Sequence, residues 1–308
     1  MPTTLTKALY NAIRVLIQVE DLGPSATGVL YIGQQHRCAI LLDRGRVCWA
    51  ATGSTQNQLS RLILDEGSSG FDRQALQCLY RRCRKNGAPL LQTLLDEGAV
   101  SHKGLRRSLL RHTCQSLTTA CQDPRLWVRW QAEPDGSYAS HFTFPTHELL
   151  AELLPMVQGS SAIRARALLD HLVPTGGSGV AFAAGHQPLP IAFIDGGSPK
   201  VGELHTTTDW AYKLVDTAQR LDPNATDLIV RSRRERDAKV VIGFEQGFVL
   251  VVHCPTQSDL GLVVAKRSRA RQAALPPVPE LPPPPPPSSA LLQPAPTAAG
   301  AQAGAFTF

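Results

Sequence analysis

Six consecutive prolines at positions 282–287, inside the stretch PPVPELPPPPPPSSALLQPAPTAAG, limit how much of this 308-residue chain can fold. Each proline lacks a backbone N–H and is held near the polyproline conformation, so neither a helix nor a sheet ladder can run through it. Glu280 is the only charge between 275 and 308. Residues 274–308 are therefore expected to form a disordered Pro-rich tail, a spacer that also offers a preformed ligand for the aromatic groove of a polyproline-binding protein. The adjoining basic cluster Lys266, Arg267, Arg269 and Arg271 would favour an acidic partner. Positions 1–273, at 43% hydrophobic content over the whole chain, are enough for two domains of ordinary size.

The second half has a readable order of elements. Ser160 or Ser161 can cap a helix that reaches 173, with Pro174, Gly176 and Gly177 marking its end. Apolar strands follow at 179–184 and 189–194, joined by a turn at 185–188 and stopped by Asp195-Gly196-Gly197. Ala211, Leu214, Val215, Ala218 and Leu221 recur at helical spacing and predict a helix over 206–221, ended by Asp222-Pro223-Asn224. Three strands at 227–233, 239–244 and 248–253 are separated by Arg234-Glu235-Arg236-Asp237 and Glu245-Gln246-Gly247, and a last helix starts near Ser258.

This order of helix, two strands, helix, three strands and helix over 160–273 resembles the Roadblock/dynein-light-chain family, which includes bacterial regulators of gliding-motility GTPases. The stretch PLPIAFIDGG is similar to the family's second strand and turn, and FVLVVHCPTQSDLGLVVAKR to its last strand and final helix. The resemblance implies a five-stranded antiparallel sheet with helices on both faces. It also implies a homodimer formed through the central helix and an edge strand, here 206–221 and 227–233, whose joint surface receives a Ras-like small GTPase. The residues expected to bind protein are Trp210, Lys213 and Thr217, off the core stripe of the helix, and Leu228, Val230 and Arg231 on the edge strand. Arg231 and Arg233 would bring like charges together across such a pair unless Glu235 or Asp237 offsets them.

In the first half, Leu5, Leu9, Ala12, Ile13 and Leu16 share one face of a helix running from Thr3 or Thr4 to Val19. TGVLYIGQQHRCAILLDRGRVCWA reads as a three-strand meander with turns at 33–36 and 43–45, and helices follow at 56–66, 72–86, 89–97 and 101–120. Gly28-Val29-Leu30 and Gly45-Arg46-Val47-Cys48-Trp49-Ala50 resemble the opening and exit of the meander in the bacterial domain found at the N-terminus of PatA-type response regulators, a family with no established chemistry. Residues 126–132 and 138–144 read as a strand pair about the turn Pro134-Asp135-Gly136, and 147–154 as a short helix. The expected fold class is α+β in two domains, 1–146 and 160–273, joined by a linker helix at 147–159.

Candidate chemistry is sparse. Thr175-Gly176-Gly177-Ser178-Gly179 lacks the Lys-Ser/Thr pair that a phosphate-binding loop uses on the terminal phosphates and magnesium, and reads as a helix stop. The cysteines at 38, 48, 78, 83, 114, 121 and 254 fit neither zinc spacing nor a disulfide framework, and read as small core residues of a reducing cytosol. Leu76, Leu79, Tyr80 and Cys83 would share one buried stripe. Nine histidines form no local set with a carboxylate and a nucleophile. No catalytic, cofactor-binding or metal-binding residue is named, and the protein is expected to be a non-enzymatic regulator or scaffold.

The net charge of +6, from 31 basic and 25 acidic residues, is a mild excess. It is concentrated at Arg81, Arg82, Arg84 and Lys85, at Arg231, Arg233, Arg234 and Arg236, and beside the tail. A second function class is a DNA-binding regulator, because PLLQTLLDEGAVSHKGLRRSLLRH at 89–112 has the layout of a helix-turn-helix, with Lys103, Arg106, Arg107 and Arg111 on its second helix. Asp96 and Glu97 in the turn count against it. No signal peptide and no apolar run long enough to span a bilayer is present, so a cytoplasmic protein without membrane insertion is expected.

Overall fold

The structure is a computed structural model that describes residues 4–33, 38–123, 126–133, 142–183, 189–195, 199–223, 227–231, 239–245 and 248–272. The expected Pro-rich tail and the turns at 34–36, 134–136, 185–188, 196–197, 234–237 and 246–247 lie outside the described residues. The fold is α+β, with two antiparallel sheets of four and five strands.

Helix α1 (Thr4–Asp21) leads into β1 (Gly28–Ile32), β2 (Cys38–Asp43) and β3 (Arg46–Thr52), the expected meander. In β2, Cys38, Ile40 and Leu42 point inward and alternate with half-buried residues, the period-2 pattern of a strand with one covered face. The β2–β3 turn is Arg44-Gly45, with φ of 49° and 71°. Two left-handed residues in a two-residue loop match the twist of a hairpin. A Cβ on Gly45 would stand 2.7 Å from the Gly23 carbonyl oxygen, so only glycine fits there.

Helices α2 (Gln56–Asp65), α3 (Arg73–Asn86), α4 (Leu90–Asp96) and α5 (His102–Ala120) follow. The Asp72 carboxylate accepts the Ala75 N–H at the start of α3, and the Ser101 hydroxyl accepts the Gly104 N–H at the start of α5. Strand β4 (Val128–Ala132) pairs with β1, giving the order β3-β2-β1-β4. Of the strand expected at 138–144 to pair with 126–132, residues 138–141 lie outside the described residues, and Phe144 at its end exchanges hydrogen bonds with Val47 of β3.

Helix α6 (Thr146–Gln158) buries Leu149, Leu150, Leu153 and Leu154 and runs one turn past the short helix expected, to a cap at Gly159 whose N–H is accepted by the Pro155 carbonyl. It packs on α1 and α5 on one side and on β6 and α7 on the other. Helix α7 (Ser160–Leu172) has Gly159 at its N-cap, so neither Ser160 nor Ser161 holds the capping position. The second sheet contains β5 (Ser178–Ala183), β6 (Pro190–Asp195), β7 (Asp227–Arg231), β8 (Lys239–Glu245) and β9 (Phe248–Cys254) in the order β6-β5-β9-β8-β7. Helices α7 and α9 (Gln257–Gln272) cover Ala181, Leu250 and Val252 on one face. Helix α8 (Val201–Leu221) covers the other face, in one apolar cluster with Val180, Phe182 and Phe193 that continues through α6, α5 and α1 into the first sheet.

Helix α8 starts five residues before the sequence suggests. Glu20 supplies the missing signal: its carboxylate accepts the N–H groups of Val201 at 2.7 Å and Gly202 at 3.1 Å and the Thr146 hydroxyl at 2.6 Å. The first turn of a helix has N–H groups with no intrahelical acceptor and a partial positive charge, so a carboxylate from another element stabilises it.

Candidate functional site

The buried stripe of α8 is Val201, Thr208, Ala211 and Val215, not the full set read from the sequence. Leu221 was expected in the core and is 84% exposed. Trp210, Leu214, Thr217 and Leu221 recur at i, i+4, i+7 and i+11, a second stripe beside the buried one. Trp210 is 39% exposed, Thr217 is exposed and Leu214 is half-buried. Lys213 is also exposed, its ammonium 2.7 Å from Asp209, and Arg220 is 2.7 Å from Asp216. Exposed pairs one turn apart contribute little to stability and leave the Trp210 stripe without charge.

Strand β7 is at the edge of its sheet and, among the described residues, pairs with β8 alone. Leu228 and Val230 are half-buried against the cluster under α8, whereas Ile229 points to the other face and is 47% exposed. Arg231 pairs with Lys239 in the ladder, and its side chain lies outside the described residues, as do Arg233, Glu235 and Asp237. Sequence reasoning missed how β7 is fixed: Arg267 of α9 extends across β8 at Gly243 and places Nε 2.5 Å from Asp227 Oδ1. The guanidinium is 4% exposed.

The four cations proposed for nucleic acid stand on α5, the most buried helix of the first half. Arg106 forms a bidentate pair with Glu148 and lies 4.8 Å over the Phe144 ring, and the Glu148 hydrogen bond raises the guanidinium pKa. Arg107 pairs with Glu66 at 2.9 Å and Arg111 with Glu152 at 3.4 Å. Lys103 is exposed. Carboxylates of neighbouring elements therefore neutralise three of the four, which no local motif could indicate.

Six of the seven cysteines are buried and all are free, with Cys78 exposed. Burial pushes the Cys38 and Cys48 thiols up to about 12, so they are core groups and not nucleophiles. Tyr80 was placed on the buried stripe of α3 and is exposed, because Leu76, Leu79 and Cys83 alone face inward. No group of three or more potential metal ligands occurs among the described residues. A shallow cleft of about 470 Å³ lies between α3 and α4, with Phe71, Cys78 and the Arg82–Glu97 pair on its walls. His112 is buried, stacked 4.5 Å from Trp49, and donates Nε2–H to the Thr55 carbonyl at 3.0 Å in the tautomer this contact requires. Thr55 and Ser116 hydroxyls bond beside it at 2.7 Å.

Compared with known proteins, the chain matches no family model and no curated sequence. No described helix is long and apolar enough to cross a membrane.

Proposed function

We propose that this protein is a non-enzymatic regulator whose residues 160–273 act as a Roadblock-type module, pairing with a second copy through α8 and β7 and receiving a Ras-like small GTPase. The observation that carries the reading is the exposed Trp210, Thr217 and Leu221 stripe on α8 together with the edge position of β7. The order of elements and the antiparallel five-stranded sheet with helices on both faces are the features on which the family resemblance rests. Tryptophan is a typical interface anchor, and Trp210 opens a stripe whose other apolar members are Leu214 and Leu221. Among the described residues β7 pairs with β8 alone, and an open sheet edge favours strand pairing with another chain.

The test is hydrodynamic mass at micromolar concentration for the wild type and Trp210→Glu, followed by affinity capture from native lysate with GDP or a non-hydrolysable GTP analogue. The expected result is a dimer that Trp210→Glu dissociates, and a small GTPase retained in one nucleotide state. A wild-type monomer, or the same captured proteins with either nucleotide, would overturn the reading.

A further inference from the structure

Helix α3 carries a charge that no carboxylate among the described residues balances. Arg73, Arg81, Arg84 and Lys85 are exposed and make no ion pair among the described residues. The helix contains no carboxylate, Asp72 is committed to its cap, and Glu97 is committed to Arg82. On α5, by contrast, each of three arginines meets a glutamate. Like charges on one helix face repel, and a net anionic partner relieves that cost.

Packing leaves this face accessible. Helix α3 is held along Leu76, Leu79 and Cys83 against α2 and α4, so its opposite side faces solvent over about 21 Å. Arg73, Gln77, Tyr80, Arg81 and Arg84 recur at i, i+4, i+7, i+8 and i+11 on an exposed face beside the buried stripe, and Lys85 stands one turn after Arg81 at its margin. We propose that this face of α3 binds nucleic acid, with the three arginines and Lys85 on duplex phosphates.

The side chains distinguish this partner from other polyanions. A helix that lies in an anionic membrane presents leucine, phenylalanine or tryptophan to the acyl region, and here the leucines are turned inward. A protein interface buries several apolar anchors at its centre, and here Tyr80 is the one exposed aromatic among four unpaired cations. A major groove about 12 Å wide admits a helix, and glutamine and arginine are the side chains that hydrogen-bond adenine and guanine edges there. The inference is independent of pairing at α8 and relocates nucleic-acid binding from α5, where the guanidinium groups are already matched.

The experiment is fluorescence anisotropy of a labelled mixed-sequence duplex of about 20 base pairs titrated with the full chain across a salt series. The expected result is binding at low salt with a log–log salt slope of about −3 to −4, from four cations at about 0.9 each. Arg81→Glu with Arg84→Glu is expected to weaken binding by about tenfold or more, and Lys103→Glu by less than about twofold. Arg81→Gln with Arg84→Gln, checked by circular dichroism, serves if charge reversal perturbs folding. No wild-type binding at low salt, equal binding by the α3 variants, or binding to phosphatidylserine vesicles or polyglutamate in preference to the duplex would each overturn the proposal.

Discussion

The Glu20 carboxylate accepts the Val201 backbone N–H at 2.7 Å, so the end of α1 caps a helix that begins 181 residues later. The same carboxylate holds Gly202 and Thr146, tying α1, α6 and α8 together where the two sheets share one apolar cluster. Glu20→Ala should cost about 1–2 kcal/mol in urea unfolding, the value of charge-assisted hydrogen bonds that are partly solvated. Glu20→Gln should lose about half of that, because the amide keeps an acceptor without the charge. Hydrogen exchange should accelerate first at residues 201–205, and unchanged exchange there would remove Glu20 from the account of where α8 starts.

That contact also marks the limit of reading this chain from sequence. The alternation in β2 and the helical spacing of α1 and α3 are local, so the elements and most of their ends were legible. The first turn of α8 was not, since its acceptor belongs to another helix. Phe144 pairs with Val47 through a crossover that strand propensity does not encode. Leu221 is apolar yet is the last residue of α8, on the stripe of Trp210, Leu214 and Thr217 beside the buried one, and only the structure shows it exposed. The cations of α5 suggested a nucleic-acid surface because their glutamates lie 41 or more residues away or on an adjacent helix.

Gly243 is required by the path of Arg267. A Cβ at 243 would stand 1.9 Å from the Arg267 guanidinium carbon, forcing that buried group off Asp227 and away from the edge strand. Gly243→Ala should destabilise by about 1–3 kcal/mol, since the guanidinium is buried while Asp227 is partly solvated. Arg267→Met should also destabilise. Adding Gly243→Ala to Arg267→Met should cost much less than it does alone, because the clashing group has gone. Full additivity in the double-mutant cycle would show that the two positions do not interact.

His112 predicts a pH dependence. Burial lowers its pKa from the ordinary 6.5, against the opposing effect of the Thr55 and Ala50 carbonyls. The unfolded chain therefore binds a proton near pH 6.5 that the folded chain still refuses, so stability is full above that pH and falls as the pH drops below it. Urea midpoints at about pH 7.5 and 5.5 measure the loss. His112→Phe keeps the stack on Trp49 but cannot titrate, and should flatten that part of the profile while lowering stability at both pH values through loss of the Thr55 hydrogen bond. An unchanged profile in His112→Phe would assign the slope to other groups.

Leu221 and Val215 stand on the same helix and separate self-association from folding. Val215 is buried in the cluster under α8, so Val215→Ala should cost about 1–3 kcal/mol through lost burial and a residual cavity. Leu221 makes no such contribution, and Leu221→Ser should leave the unfolding midpoint of the monomer within about 0.5 kcal/mol. If the Trp210 stripe forms the paired surface, the same Leu221→Ser change should weaken the dimer by about tenfold, since burying one leucine is worth about 1.5–3 kcal/mol. Sedimentation of the two variants over a concentration series distinguishes them: Val215→Ala should shift stability and keep the association constant, and Leu221→Ser should do the reverse. A Leu221→Ser protein that associates as the wild type does would place the contact elsewhere than on this stripe.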